Sequence, residues 1–117
     1  MELFERNACD LSEMIKNKEI SSAELTKSVF DRIKAVEGKV DAYLTLDEEN
    51  AMKKAAEIDE KLAKGEELSP LAGIPVGIKD NISTKGLRTT CASKMLGNYV
   101  PPFNATVMNK LDDIVVT

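Results

Sequence analysis

The segment Pro70-Leu71-Ala72-Gly73-Ile74-Pro75-Val76-Gly77-Ile78-Lys79-Asp80-Asn81-Ile82 decides the fold, because it reads as a short apolar strand that ends on a lysine. From residue 74 to residue 79, branched apolar side chains alternate with Pro75, Gly77 and Lys79, which is the period of a β-strand. Small neighbours let other backbone approach Lys79 and exclude water, and loss of hydration favours the neutral form of a lysine. A lysine in such a setting can act as a base near neutral pH. By its spacing alone, however, a lysine at the end of a strand is more often a solvated surface charge.

The residues before this strand predict three helices. Apolar side chains recur at helical spacing across residues 2–17. Ser21 followed by Glu24 is a capping box for a second helix, which we expect to end at Gly38. A third helix is predicted from about residue 47 to residue 64, with a glycine directly after it.

Shorter elements are predicted around these helices and at the end of the chain. Residues 42–46 form a strand candidate, and Ser93–Leu96 is a candidate for a short helix. Asn104 is expected to cap another helix that runs through Leu111, and Ile114–Val116 then reads as a buried strand.

The order of these elements predicts an α/β fold, with N-terminal helices followed by the start of a mixed, largely parallel sheet. We expect residues 1–65 to be mainly helical and residues 70–117 to begin the core of the same domain. The strands at either end of residues 74–116 are expected to run parallel, joined by a right-handed crossover. Because both strands are apolar, an uncovered face would favour self-association, and Val115→Lys would then raise solubility if that strand is exposed.

Composition limits the function classes. Of the 117 residues, 43% are hydrophobic and 31% are charged, which are globular values, and the net charge of −4 argues against RNA binding by this chain alone. The glycines at 73 and 77 lack the spacing of a phosphate-binding loop, so we expect no cofactor on this chain. No signal peptide or membrane-spanning stretch is apparent, which predicts a cytoplasmic protein without a membrane partner.

The cysteines and the absence of histidine exclude other chemistry. Cys9 and Cys91 are far apart and lack the spacing of metal ligands, and the chain contains no histidine. We therefore expect no metal site and no histidine-based catalytic triad, and we expect both cysteines to be small buried residues in a reducing compartment.

Several stretches resemble the amidase signature family. The segment Gly73–Ile82 is similar to the lysine-bearing segment of that family, and Gly86–Leu96 and Tyr99–Val107 are similar to the stretch that follows it. Ser22-Ala23-Glu24-Leu25 and Asp41-Ala42-Tyr43 extend the resemblance into the N-terminal half. Within the family, the chain looks most like the glutamine-hydrolysing subunit of tRNA-dependent amidotransferases.

The resemblance implies a catalytic set of a nucleophilic serine, a bridging serine in a cis peptide, and a lysine. Lys79 matches the lysine of the family and would take the proton of the bridging serine as the terminal general base. In the amidotransferases the substrate is glutamine, and the released ammonia passes to another subunit. That partner subunit uses ATP and magnesium to convert Glu-tRNA(Gln) to Gln-tRNA(Gln), so tRNA would be reached only through the complex.

Two stretches of the family do not occur among these residues: the Gly/Ser-rich run that supplies the bridging serine, and the later stretch that carries the nucleophilic serine. We therefore expect the chain to represent the N-terminal part of an amidase domain that is inactive alone. A non-catalytic helical interaction module, a truncated gene product and another hydrolase of the amidase family remain open alternatives.

Further candidate site residues surround the lysine in the sequence. Asp80 and Asn81 are turn residues that could also orient the lysine loop. Thr89, Thr90 and Ser93 lie in a polar loop that could line the substrate pocket.

Overall fold

The computed structural model describes residues 1–117 and divides into two compact units, residues 1–76 with 113–117 and residues 77–112. A short 3₁₀ helix at Leu3–Glu5 opens the chain. The remaining elements, in chain order, are α1 (Ala8–Lys16), α2 (Ser22–Val40), α3 (Glu48–Ala63), β1 (Pro75–Val76), α4 (Thr106–Asn109) and β2 (Val115–Val116). Four helices and a short parallel sheet confirm the predicted α/β class.

The first helix, predicted over much of residues 2–17, forms only at Ala8–Lys16, because the chain makes a separate 3₁₀ turn at Leu3–Glu5 before it. Asn7 has an extended backbone, and its side chain accepts a hydrogen bond of 2.9 Å from the Asp10 N–H. An asparagine in this conformation is a helix N-cap, so α1 starts only after it. Apolar residues keep a helical spacing on both sides of Asn7, so the spacing alone does not indicate the break between the two helices.

Helix α2 begins as predicted but ends later. The Ser21 side chain accepts from the Glu24 N–H at 3.0 Å, and the Glu24 carboxylate accepts from the Ser21 N–H at 2.8 Å, which is a complete capping box. The predicted stop at Gly38 is wrong, since the helix continues to Val40. It ends where Asp41 takes the left-handed conformation with φ 51°, which aspartate tolerates better than most residues.

Helix α3 ends at Ala63, and Gly65 terminates it as predicted. Gly65 has φ +79°, and its N–H donates to the Leu62 carbonyl at 3.1 Å while the Glu66 N–H donates to the Lys61 carbonyl at 3.2 Å. This pair of bonds is a Schellman motif, which requires a left-handed residue that glycine adopts without a steric penalty.

Asp59 of α3 holds the first turn of α2, and we expect Asp59→Asn to destabilise the fold. Its two carboxylate oxygens accept from the Ser22 N–H at 2.7 Å and the Ala23 N–H at 3.0 Å. The asparagine would turn an NH₂ group toward one of these donors and remove negative charge from a helix N-terminus. The free energy of unfolding should fall by about 1–3 kcal/mol, measured by urea denaturation.

Glu60→Gln is the matched control for Asp59→Asn. Glu60 is the next residue of α3, and its carboxylate makes only an exposed ion pair of 3.4 Å with Lys64. Such pairs contribute at most about 1 kcal/mol, so this variant should unfold close to the parent. Equal losses in the two variants would contradict the capping role of Asp59.

The sheet is parallel, as predicted, but shorter. Pro75 pairs with Val115 and Val76 pairs with Val116. The Val115 N–H donates to the Ile74 carbonyl at 3.0 Å, and the Thr117 N–H donates to the Val76 carbonyl at 3.2 Å. The predicted strand over residues 74–78 therefore stops at Val76, because β2 offers a ladder partner only this far.

No strand forms at residues 42–46, so that prediction is wrong. The Tyr43 N–H donates to the Glu37 carboxylate at 2.7 Å, and the Asp47 N–H makes a long bond of 3.5 Å to the Thr117 carbonyl. The segment is therefore bonded to the last turns of α2 near its start, and it does not pair with a strand along its length.

The apolar core of the first unit consists of two clusters. One cluster joins α2, α3 and β2, and the other joins α1, α2 and the approach to β1. The buried members are Phe30, Ile33, Ala51, Ala55 and Val115 in the first, and Leu11, Ile15, Leu25 and Ile74 in the second.

Val115 is fully buried, which corrects the expectation that β2 could be the exposed strand. The side chain lies in the cluster formed with α2 and α3. A lysine at this position would place an unpaired charge in the core. Val115→Lys is therefore expected to unfold the chain instead of raising its solubility.

The second unit, residues 77–112, consists mostly of turns. Residues 93–97 form successive turns, in which the Leu96 N–H donates to the Ser93 carbonyl at 3.2 Å, so the short helix predicted there is wrong. Helix α4 is only four residues long, and Asn104 does not cap it. The Asn104 side chain instead accepts from the Lys85 N–H at 2.7 Å. None of the helices combines the length and apolar character that crossing a bilayer would require.

Candidate functional site

Lys79 follows β1 by three residues and opens a turn. Its carbonyl accepts a hydrogen bond of 3.0 Å from the Ile82 N–H, so residues 79–82 form a turn with Asp80 and Asn81 at its centre. The turn chemistry read from Asp80-Asn81 is therefore present in the structure.

The side chain of Lys79 is exposed, which corrects the expectation that its neighbours would shield it from water. Strand β1 ends before Gly77, and this glycine is exposed as well.

Asp80 is the most heavily bonded candidate residue. Its carboxylate accepts from the Thr90 N–H at 2.8 Å, from the Thr90 hydroxyl, and more weakly from the Ala92 N–H at 3.5 Å. Its main-chain carbonyl accepts from the Cys91 N–H at 2.9 Å. Both the side chain and the backbone of the residue after Lys79 are thus tied to residues 90–92.

The loop that Asp80 holds has an unusual backbone. Cys91 and Ala92 have φ values of 52° and 57°, in the left-handed region that residues with a Cβ rarely occupy. Each such residue costs roughly 1–2 kcal/mol relative to the right-handed conformation. The bonds to Asp80 offset this cost by satisfying the N–H groups of residues 90, 91 and 92.

The electrostatics of Asp80 predict acid sensitivity of this loop. The Thr90 hydroxyl is the main cause that holds the pKa of Asp80 below its usual value of 3.8, and the Thr90 and Ala92 N–H groups and the Arg88 charge act in the same direction. Since the folded pKa lies below the unfolded one, the stabilisation is present above pH 3.8 and is lost as the pH falls through the folded pKa. We expect the Thr90 amide resonance to shift and its hydrogen exchange to accelerate in that acid range, measured by NMR titration. An amide resonance that stays constant from about pH 5 to about pH 2 would contradict this.

The remaining candidates lie in the same unit but differ in exposure. Thr89 is buried, and its N–H donates to the Tyr99 carbonyl at 3.0 Å while its hydroxyl donates to the Leu87 carbonyl at 3.1 Å. Ser93 is half-buried, and its N–H donates to the Thr90 carbonyl at 2.9 Å. Asn81 is exposed. Thr89 thus serves the loop itself, while Ser93 and Asn81 keep surface that a ligand could reach.

Both cysteines are exposed, so the expectation that they are buried is wrong. Cys9 lies in the first turn of α1, and Cys91 projects from the left-handed segment of the loop. No group of three or more His, Cys, Asp or Glu side chains is placed to hold a metal ion.

Sequence reasoning missed the backbone groups of residues 91 and 92, which bind Asp80. The signal was weak, because glycine or asparagine normally marks a left-handed position and here the residues are cysteine and alanine. It also missed Arg88, whose charge acts on Asp80 and whose Nε donates to the Gly97 carbonyl.

Taken together, the site fixes the main chain around a lysine and presents its amine to solvent. Residues 79–82 form the turn, and residues 90–92 hold that turn through Asp80. Such an arrangement can place an amine for proton transfer once other groups surround it.

Comparison with known proteins identifies the family. A family description, Amidase, matches residues 24–114. The chain is 56% identical over 113 residues to the A subunit of glutamyl-tRNA(Gln) amidotransferase from Carboxydothermus hydrogenoformans, and 54% identical over 112 residues to the protein of that name from Geobacillus kaustophilus. These matches cover 97% and 96% of this chain, but it spans only 23% of the length of each relative.

Solved structures agree with the sequence comparison. A peptide amidase from Stenotrophomonas maltophilia superposes with a TM-score of 0.88 at 32% identity, covering 96% of this chain and 24% of the amidase. A fatty acid amide hydrolase superposes with a TM-score of 0.89 at 22% identity, covering 97% of this chain and 20% of the hydrolase, and at that identity it supports the fold alone. The chain therefore belongs to the amidase family.

Proposed function

We propose that this chain is the lysine-bearing N-terminal portion of a glutamine-hydrolysing amidotransferase subunit. The observation that carries the proposal is its 56% identity over 97% of its length to the A subunit of a glutamyl-tRNA(Gln) amidotransferase. Identity to the peptide amidase is 32%, which favours the amidotransferase over other hydrolases of the family.

In this proposal Lys79 is the terminal general base. It takes a proton from a bridging serine that the remaining part of the subunit supplies, and that serine accepts the proton of a second serine. The second serine attacks the glutamine amide carbon, the C–N bond breaks to leave an acyl-enzyme, and the proton held by the lysine passes through the bridging serine to the leaving nitrogen, which departs as ammonia. Asp80, Asn81, Thr89, Thr90 and Ser93 are the candidates for positioning this lysine or for contacting the substrate. The ammonia goes to a partner subunit that uses ATP and magnesium on Glu-tRNA(Gln), in the cytoplasm.

Exposed apolar side chains in the second unit support a role as part of a larger domain. They lie within a short stretch of sequence, and they are Met95, Leu96, Tyr99, Val100, Phe103 and Val107. Met95 is 95% exposed, so nothing in this chain covers it. Apolar side chains concentrated in this way usually face another protein surface, which here would be the rest of the amidase domain.

The test is a graft into the Carboxydothermus hydrogenoformans protein, in which this chain replaces the matching segment. The grafted subunit, once it is combined with the other subunits of that enzyme, should release ammonia from glutamine within about tenfold of the parent rate, since 56% identity preserves most contacts. The isolated chain should release none, because a base without a nucleophile and oxyanion donors does little. A correctly assembled graft without activity would refute the proposal, and so would turnover by the isolated chain that requires Lys79.

A further inference from the structure

The contacts of Asp80 extend well beyond its own turn. An aspartate in a turn usually bonds its own backbone about two residues on. Asp80 instead receives four hydrogen bonds from residues 10–12 positions away, three at its carboxylate and one at its carbonyl. The residue therefore joins the turn that carries Lys79 to a second loop.

These bonds restrain the backbone on the carboxyl side of Lys79. The Lys79 carbonyl accepts from the Ile82 N–H, and the next carbonyl, that of Asp80, accepts from the Cys91 N–H. Two consecutive peptide groups are thus held by different segments. The loop at residues 90–92 therefore restrains the backbone directly after the residue from which the lysine side chain starts.

A lysine base depends on this kind of restraint. Its four-carbon stem is flexible, and proton transfer needs the amine within about 2.6–3.2 Å of its partner. A displacement of about 1 Å can cost on the order of 10²-fold in rate. The exposed amine has no ion-pair partner here that would fix it directly.

We propose that Asp80 is a positioning residue for Lys79, and that its bonds to Thr90, Cys91 and Ala92 place the lysine amine for proton transfer. The inference rests on the proposed function of this site. Thr90 is the main partner, because it donates to the carboxylate from both its N–H and its hydroxyl. Asp80 does not touch the substrate in this scheme and acts through the backbone.

The experiment compares variants of the grafted subunit in its assembled enzyme. Asp80→Asn keeps the shape but removes the charge, and Thr90→Val removes only the hydroxyl. We expect Asp80→Asn to lower kcat for glutamine hydrolysis by about 10–100-fold and Thr90→Val by about tenfold, with KM nearly unchanged. The kcat of the double variant should be no lower than that of Asp80→Asn alone, because both changes disrupt the same contact between Asp80 and Thr90.

Two further readouts separate positioning from general damage. Asp112→Asn removes an exposed carboxylate of the same unit and should leave kcat at the parent value. The low-pH limb of the kcat–pH profile, which reports on the general base, should shift in Asp80→Asn because the surroundings of the Lys79 amine change. The circular dichroism spectrum and the assembly of the enzyme should stay at the parent values.

The outcomes distinguish the inference from the proposed function. An inactive graft, or a graft that keeps full activity in Lys79→Ala, refutes the proposed function itself. An active graft that requires Lys79 but tolerates Asp80→Asn as well as Asp112→Asn overturns the positioning role. A loss of kcat that only follows the folded fraction, with an unchanged pH profile, also overturns it.

Discussion

Lys79→Ala is expected to reduce glutamine hydrolysis by the grafted subunit by about 10²–10⁴-fold, with the fold intact. Loss of a general base typically costs this much, and more when the catalytic groups act as a unit. The side chain is exposed and makes no ion pair in this chain, so its removal leaves no cavity in either core cluster. Ammonia release under saturating glutamine measures the effect.

The matched control for this prediction is Lys110→Ala. Lys110 is another exposed lysine of the same unit, at the end of α4. The variant removes the same charge and should leave the rate close to that of the parent. Activity of Lys79→Ala within a few-fold of Lys110→Ala would exclude Lys79 as the base.

Gly73→Ala is expected to give the largest loss of stability. Gly73 has φ +77°, and a Cβ built there would lie 2.8 Å from Ser22 Oγ, 2.9 Å from Ser22 Cβ and 3.1 Å from Ile58 Cγ2. The Ser22 hydroxyl cannot simply rotate away, because it is buried and donates to the Gly73 carbonyl at 2.7 Å. Left-handed strain and overpacking together should cost roughly 2–5 kcal/mol.

Gly65→Ala separates these two causes. Gly65 has nearly the same φ, +79°, but a Cβ there would meet nothing within 4 Å. This variant should lose only the backbone strain of about 1–2 kcal/mol. Urea denaturation of the two variants against the parent measures the difference, and equal losses would show that the contact with Ser22 is not restrictive.

Local sequence signals determined the ends of elements whose bonds lie within a few residues. The capping box at Ser21 and Glu24 and the Schellman motif at Gly65 were readable, because their donors and acceptors are close in sequence. The helix end predicted at Gly38 was wrong, since a glycine permits a left-handed conformation but does not require one. Asp41 adopts that conformation instead. The parallel pairing was also predictable from two apolar strands separated by a helix.

The candidate site was only partly readable. The lysine and its turn follow from the segment around Lys79, and so does the family resemblance. The role of Thr90 does not, because its bonds to Asp80 join residues ten positions apart and depend on left-handed backbone at Cys91 and Ala92. Cysteine and alanine do not indicate a left-handed backbone, so the sequence gives no sign of it at these positions.

The sequence by itself determined helices α2 and α3, the parallel pairing of the two strands and the position of the candidate lysine, because these depend on periodicity, capping residues and a recognisable motif. Only the tertiary structure decided that Val115 is buried, that β1 stops at Val76 and that Lys79 is exposed. The physical reason is that burial and strand length depend on which distant segments are available to pack and pair. For Lys79, the exposure of the side chain could not be read from the local pattern of small and apolar neighbours.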